Sequence, residues 1–245
     1  MKSQLELLRS QCPPWATVAP AGQALKATVH ALPSGKPYGP IDLLIKSSRD
    51  TVAVEEGAKP TRWPVGCPER HINHDGTFCI GEGPINAPRT AGDATIWWEA
   101  VGKFLLGQRH ADRHRRWLYP RSFHHGSASK HQRKLEELAK GTSFEADVEY
   151  ALHSRSGWLS GDIPRVHPKE ARLTNLRAPC PRGCMRRGRP ILRHKCKQRQ
   201  LMFEIVREET ARRKAEKSFW DHYPRKVCCG SMDHCPLQLP ERESS

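Results

Sequence analysis

No stretch of the 245 residues approaches the ~20 consecutive apolar residues that a bilayer-spanning helix needs. The opening Met-Lys-Ser-Gln-Leu-Glu-Leu-Leu-Arg holds no continuous apolar run and includes Glu6, so it reads as a short first helix and not as a signal peptide. Both absences predict a cytoplasmic protein. No internal repeat occurs. Hydrophobic residues make up only 37% of the chain, which suffices for one real core but not for a core running the whole length.

Cysteine and positive charge are plentiful by contrast. Nine cysteines in a cytoplasmic chain read as thiols or metal ligands in preference to disulfides. Cys12, Cys67 and Cys79 lie in the first half, and the other six fall between 180 and 235. Residues 1–150 carry 20 Lys/Arg against 16 Asp/Glu, whereas residues 151–245 carry 21 against 10. Both shifts mark the C-terminal third as a different unit.

Leu25, Ala27, Val29 and Ala31 alternate with Lys26, Thr28 and His30, the period-two signature of a half-buried strand. Ser34-Gly35-Lys36-Pro37 predicts a turn into a second strand with Ile41, Leu43 and Ile45 inward. Ser47-Ser48-Arg49-Asp50 turns the chain again, and Thr51–Glu55 forms a third strand on Val52 and Val54. Three strands with short connections predict an antiparallel meander. Prolines between Pro60 and Pro68 break any ladder, which makes this stretch an irregular crossing. Thr95 is placed to cap a helix with Trp97, Val101, Phe104 and Leu105 at i, i+4, i+7, i+8 spacing. Residues 111–127 are polar and rich in His and Arg, including His124. A second helix is expected over roughly 128–140, a linker over 154–179, and a long charged helix from about Gln198 to Trp220.

Between the crossing and the Trp-bearing helix stands His71-Ile72-Asn73-His74-Asp75-Gly76-Thr77-Phe78-Cys79-Ile80. This order of parts resembles the ubiquitin-conjugating enzymes, and more closely their prokaryotic relatives. His71-Ile72-Asn73 stands where that family has His-Pro-Asn. Gly76-Thr77-Phe78-Cys79-Ile80 corresponds to its Gly-x-x-Cys-Leu segment, and Trp97 or Trp98 with Phe104-Leu105-Leu106 to the helix beyond it. The likeness covers roughly residues 1–140. Two departures stand out: Ile72 replaces the proline with a shortened Asn-to-Cys interval, and the loop after Cys79 is longer.

The resemblance implies an α+β fold, an antiparallel meander packed on helices, and an acyltransferase that carries a ubiquitin-like modifier as a thioester on Cys79. Thiolates attack and leave readily, and a thiol of pKa ~8.5 is a few per cent ionised at neutral pH. Asn73 is the expected donor to the oxyanion that forms when an amine attacks, a type of group worth ~10²–10³ in rate elsewhere. The resemblance gives His71 a mainly structural task. The implied partners are a ubiquitin-activating-like enzyme, a ubiquitin-like modifier and a target protein, in genes that often sit in bacterial antiphage defence operons. Cys12 and Cys67 lack any comparable context and read as structural.

In the tail, Cys180-Pro-Arg-Gly-Cys184 with His194-Lys195-Cys196 reads as the first half of a zinc site. Cys228, Cys229 and Cys235, next to His234, are expected to complete it across the long helix. Four soft ligands satisfy tetrahedral Zn2+, and a segment poor in apolar residues gains folding free energy from such an ion. Arg186, Arg187, Arg189, Arg193, Lys195, Lys197 and Arg199 crowd fourteen residues. Such a run neutralises phosphates, yet charge runs are more often solvated faces or complements to an acidic protein, and no interleaved aromatics accompany this one, so nucleic acid stands behind both readings. The expected division is a conjugating domain over 1–140, helix and linker over 141–179, and a basic cysteine-rich helical extension over 180–245. The rival reading is an inactive conjugating fold that serves as a docking surface.

Overall fold

The computed structural model describes residues 3–32, 35, 37–81, 83–119, 125–154, 156–224, 227–233 and 235–237. The chain divides into two compact units, residues 1–119 with 224–245, and residues 120–223. The leading part of the first unit thus ends at residue 119. His124 and His234 lie outside the described residues.

The first unit opens with α1 (Gln4–Ser10), where Ser3 and Glu6 form a reciprocal capping box. Four strands follow in meander order: β1 (Ala16–Ala21), β2 (Ala24–Ala31), β3 (Pro37–Ser48) and β4 (Thr51–Glu56), each antiparallel to the next. The pairs Leu25↔Ile45, Ala27↔Leu43, Val29↔Ile41 and Ile45↔Val54 place the predicted apolar positions on one face, and all of them are buried. A register shift after Val29 changes the alternation. Leu32, not Ala31, is therefore the buried residue at that end.

β1 is the strand that periodicity did not reveal. It is mostly exposed and contains Pro20, which an edge strand tolerates. The helix α2 (Ala91–His114) starts four residues before Thr95. Thr90 caps it, with Asp93 closing the box. Its inner face presents Ala94, Trp97, Trp98, Val101, Phe104 and Leu105 to the sheet core. Trp98 Nε1 donates to Leu8 O over 2.9 Å, tying α1 to α2. The polar stretch after 111 is partly this helix's last turn.

In the second unit, α3 (Ala128–Ala139) and α5 (Arg199–His222) pack through Leu135, Ala139, Met202, Ile205 and Val206. This packing is why α3 belongs to the second unit. Between them lie α4 (Glu145–Glu149), a π turn over 150–154, and the hairpin β5 (Met185–Arg186) and β6 (Arg189–Pro190). The stretch expected as a linker contributes buried Leu159 and Leu173 to this core. Among the described residues no helix is long and apolar enough to cross a membrane.

Candidate active site

The segment 71–79 folds back on itself around Asp75-Gly76, where Gly76 takes φ +91°, a conformation open to glycine at little cost. Asn73 N donates to Thr77 O over 2.8 Å and Cys79 N donates to His71 O over 2.8 Å. Ile72 bridges to Phe78 on one side and to Cys67 on the other. Side chains of paired extended residues alternate between faces. Ile72 and Phe78, both buried, take the inner face, and Asn73, Thr77 and Cys79 the outer one.

Phe78 is the anchor. Its ring stacks on Phe104 with centroids 4.2 Å apart and meets Trp63 edge-on at 5.9 Å, and its N–H donates to Val54 O of β4 over 2.8 Å. Cys79, the next residue, is thereby held exposed. Asn73 is exposed as well, and its side-chain amide donates to Thr77 Oγ1 over 2.9 Å. Asp75 Oδ1 accepts from both the Thr77 hydroxyl, at 2.7 Å, and its N–H, at 3.0 Å. Partial burial works to raise the Asp75 carboxyl, but these hydrogen bonds and nearby His74 bring it below its ordinary value. Thr77 and Asp75 were not singled out from the sequence, although an Asp two residues before a Thr is a recognisable local pattern.

His71 adopts a left-handed backbone (φ 54°) at the end of a 3-10 turn over Pro68–Arg70. Its ring lies 4.7 Å from Trp117, and its main-chain oxygen receives Cys79 N. Beneath the turn, buried Arg70 donates from Nη1 to Asp112 Oδ1 at 2.7 Å and to Gln108 Oε1 at 3.1 Å. Gln108 Nε2 answers Arg70 O at 2.6 Å. Trp63 Nε1 reaches the other oxygen of Asp112 at 3.2 Å.

The six tail cysteines expected to bind metal fall into two groups of three, one in each unit. Cys180, Cys184 and Cys196 sit in the second. Gly183 N donates to Cys180 O at 3.0 Å, Cys180 N to Ile191 O at 2.7 Å and Ile191 N to Cys184 O at 2.8 Å, so the backbone of Cys180 and Cys184 lies at the base of the β5–β6 hairpin. Burial, the Cys180 thiol and, more weakly, Cys196 raise the pKa of Cys184, partly offset by Arg182. The soft donors of this group suit zinc.

Cys228, Cys229 and Cys235 belong to the first unit, and there Cys229 Sγ lies 3.3 Å from Cys67 Sγ. Burial, then the Cys229 thiol, push Cys67 up to about 12. Burial raises Cys235 to about 12 as well, with the Cys228 thiol adding to it and a backbone hydrogen bond from Leu237 opposing it. Among the described residues no group of three or more His, Cys, Asp or Glu side chains is placed to hold a metal ion.

Comparison with known proteins yields two matches. Residues 17–119 match the prokaryotic E2 domain family. Residues 124–237 match a family described as a cysteine-rich domain, C-terminal to the E2 domain. No curated protein and no solved structure matches the chain.

Proposed function

The chain belongs with the prokaryotic E2 proteins that carry a cysteine-rich domain after the E2 domain, and on that premise we propose that Cys79 receives a ubiquitin-like modifier as a thioester and delivers it to an amine of a target protein. The Cys79 thiolate attacks the thioester carbonyl on the activating enzyme. The bond from that carbonyl to the enzyme's sulfur breaks, and the departing thiolate takes up a proton. In the second step a target amine attacks the Cys79 thioester, the carbon–sulfur bond breaks, and the amine loses its proton as the amide forms. Asn73 donates to the negative oxygen that appears between these events.

One observation carries the reading: an exposed cysteine follows immediately on a buried phenylalanine, with an asparagine amide on the same outer face of the same short hairpin. The test incubates the protein with an activating enzyme, ATP and modifier. A reductant-sensitive adduct that Cys79→Ala abolishes is the expected result. Its absence with a competent modifier, or its survival in that variant, refutes the role of Cys79. By resemblance the setting is bacterial defence, where a co-transcribed activating enzyme and modifier are the natural partners. In the second unit, Cys180, Cys184 and Cys196 are assigned to a structural Zn2+, whose loss on their joint replacement by serine is read by elemental analysis.

A second reading draws on the β5–β6 hairpin, where Met185, Arg186, Arg187 and Arg189 are all exposed. A conjugating fold without activity would then use this basic edge to bind an acidic partner or nucleic acid. A salt-dependent titration with nucleic acid separates the two classes of partner.

A further inference from the structure

Two cysteines that the reaction at Cys79 does not use lie against each other in the first unit. Cys67 precedes the Pro68–Arg70 turn and is 2% exposed. Cys229, 162 residues later in the chain, brings its Sγ to 3.3 Å from that of Cys67. A disulfide holds its sulfurs ~2.05 Å apart, so about 1.2 Å of approach separates this pair from a bond. The two thiols differ in access. Cys67 is packed with buried Ala111 and Met232, whereas Cys229 is half-buried at the margin of the same cluster.

We propose that Cys67 and Cys229 form a reversible thiol–disulfide site, oxidised by a hydroperoxide, that fastens the end of the chain to the E2 domain. The Cys229 thiolate attacks one peroxide oxygen. The oxygen–oxygen bond breaks, the other oxygen leaves with the electron pair and takes up a proton, and Cys229 becomes a sulfenic acid. The Cys67 sulfur then attacks the Cys229 sulfur. The sulfur–oxygen bond breaks, the departing hydroxide takes the Cys67 proton as water, and the sulfur–sulfur bond forms. Two electrons have passed from the sulfur pair to the peroxide. A dithiol reductant restores both thiols by exchange.

The surroundings suit this division of labour. Ser231 Oγ lies 3.0 Å from Cys229 Sγ, and Arg70 Nε donates to that oxygen at 2.9 Å. The guanidinium occupies a lone pair of the hydroxyl and leaves its hydrogen free to point at the sulfur. A hydroxyl held this way supports a thiolate at the cysteine that the oxidant reaches. Arg115 donates to Gly230 O and to Asp233 Oδ1, both at 2.8 Å, and its own main-chain oxygen accepts from Asp233 N at 2.8 Å. These bonds hold the turn after Cys229 in place. Cys67, shut away from solvent, is spared direct attack and closes the bond. Disulfides of cytoplasmic proteins are chiefly transient and redox-sensing. The site needs neither a metal ion nor a thioester on Cys79.

The test takes the full-length protein, reduced and desalted, and treats it with hydrogen peroxide. Remaining thiols are then alkylated and the peptides mapped by mass spectrometry. The expected product joins the Cys67 and Cys229 peptides with the loss of two hydrogen atoms, and dithiothreitol reverses it. Cys67→Ser is expected to leave Cys229 as a sulfenic acid that dimedone captures, and Cys229→Ser to leave Cys67 a free thiol. Ser231→Ala slows bond formation several-fold without changing which cysteines are joined. The wild-type map decides the matter even where a serine variant fails to fold. In denaturant the oxidised wild type is expected to unfold at a higher midpoint than the reduced protein, a difference absent from Cys67→Ser. Recovery of Cys67 as an alkylated thiol from the peroxide-treated wild type overturns the proposal, and so does a disulfide from Cys229 to any other cysteine. An oxidised form no more stable than the reduced one overturns the fastening role.

Discussion

The side-chain amide of Asn73 donates to the hydroxyl of Thr77 over 2.9 Å, and that hydroxyl donates onward to Asp75 Oδ1 over 2.7 Å. The amide proposed to meet a developing oxyanion is therefore held on a neighbour. Asn73→Ala is expected to slow amine transfer by ~10²–10³-fold while leaving thioester formation intact. Thr77→Val shifts the same step in the same direction by less. Single-turnover assays of the loading and transfer steps separate these outcomes, and equal losses in both steps would deny Asn73 its assigned part.

The Asp75 carboxylate, depressed by its Thr77 hydrogen bonds, stabilises the turn in one pH range. A depressed folded pKa gives a contribution that is complete above the ordinary carboxyl value of ~3.9 and is lost as pH falls through the lower folded value. The Thr77 amide resonance should accordingly titrate with a midpoint below ~3.9, and Asp75→Asn should flatten that curve. A midpoint above the ordinary value contradicts the assignment.

Phe78 is 6% exposed and stacked on Phe104, so Phe78→Ala opens a cavity beneath the Cys79 segment. The expected loss is ~3–5 kcal/mol by chemical denaturation. Thioester formation falls along with it, because Cys79 loses its neighbouring anchor. Phe78→Leu retains most of both.

Arg70 is buried and joins Asp112, Gln108 and Ser231. Arg70→Met leaves Asp112 and Gln108 without this donor at a cost of ~2–4 kcal/mol, somewhat reduced because Asp112 is partly in water. Arg70→Lys recovers little, since an ammonium lacks the guanidinium fork that serves three partners at once. Denaturant midpoints of the two variants within a few tenths of the wild type would show the network to be idle.

The meander was legible because period-two alternation is a local signal. β1 was not, since an exposed edge strand carrying Pro20 has little alternation to read. The cap of α2 was misjudged by five residues: Thr90 with Asp93 makes a better box than Thr95, whose hydroxyl bonds back to Ala91 O inside the helix. Leu159 and Leu173 vanished into a Pro- and Gly-bearing stretch because isolated buried residues leave no period. Cys67 looked inert in sequence because the thiol it meets, that of Cys229, comes 162 positions later, and no window of residues spans that interval.

Residues 224–245 group with 1–119, while 120–223 group with themselves, so the order of the chain and the order of its bodies are not the same. The middle unit is an excursion that leaves the first body and comes back to it. Stopping the chain at Tyr119 removes the Ser231 partner of Arg70 and strips Met232 from Cys67 and Ala111. Excising 120–223 and rejoining its flanks through a flexible linker keeps both. In this protein a shortened E2 domain is better made by cutting out the centre than by trimming the end.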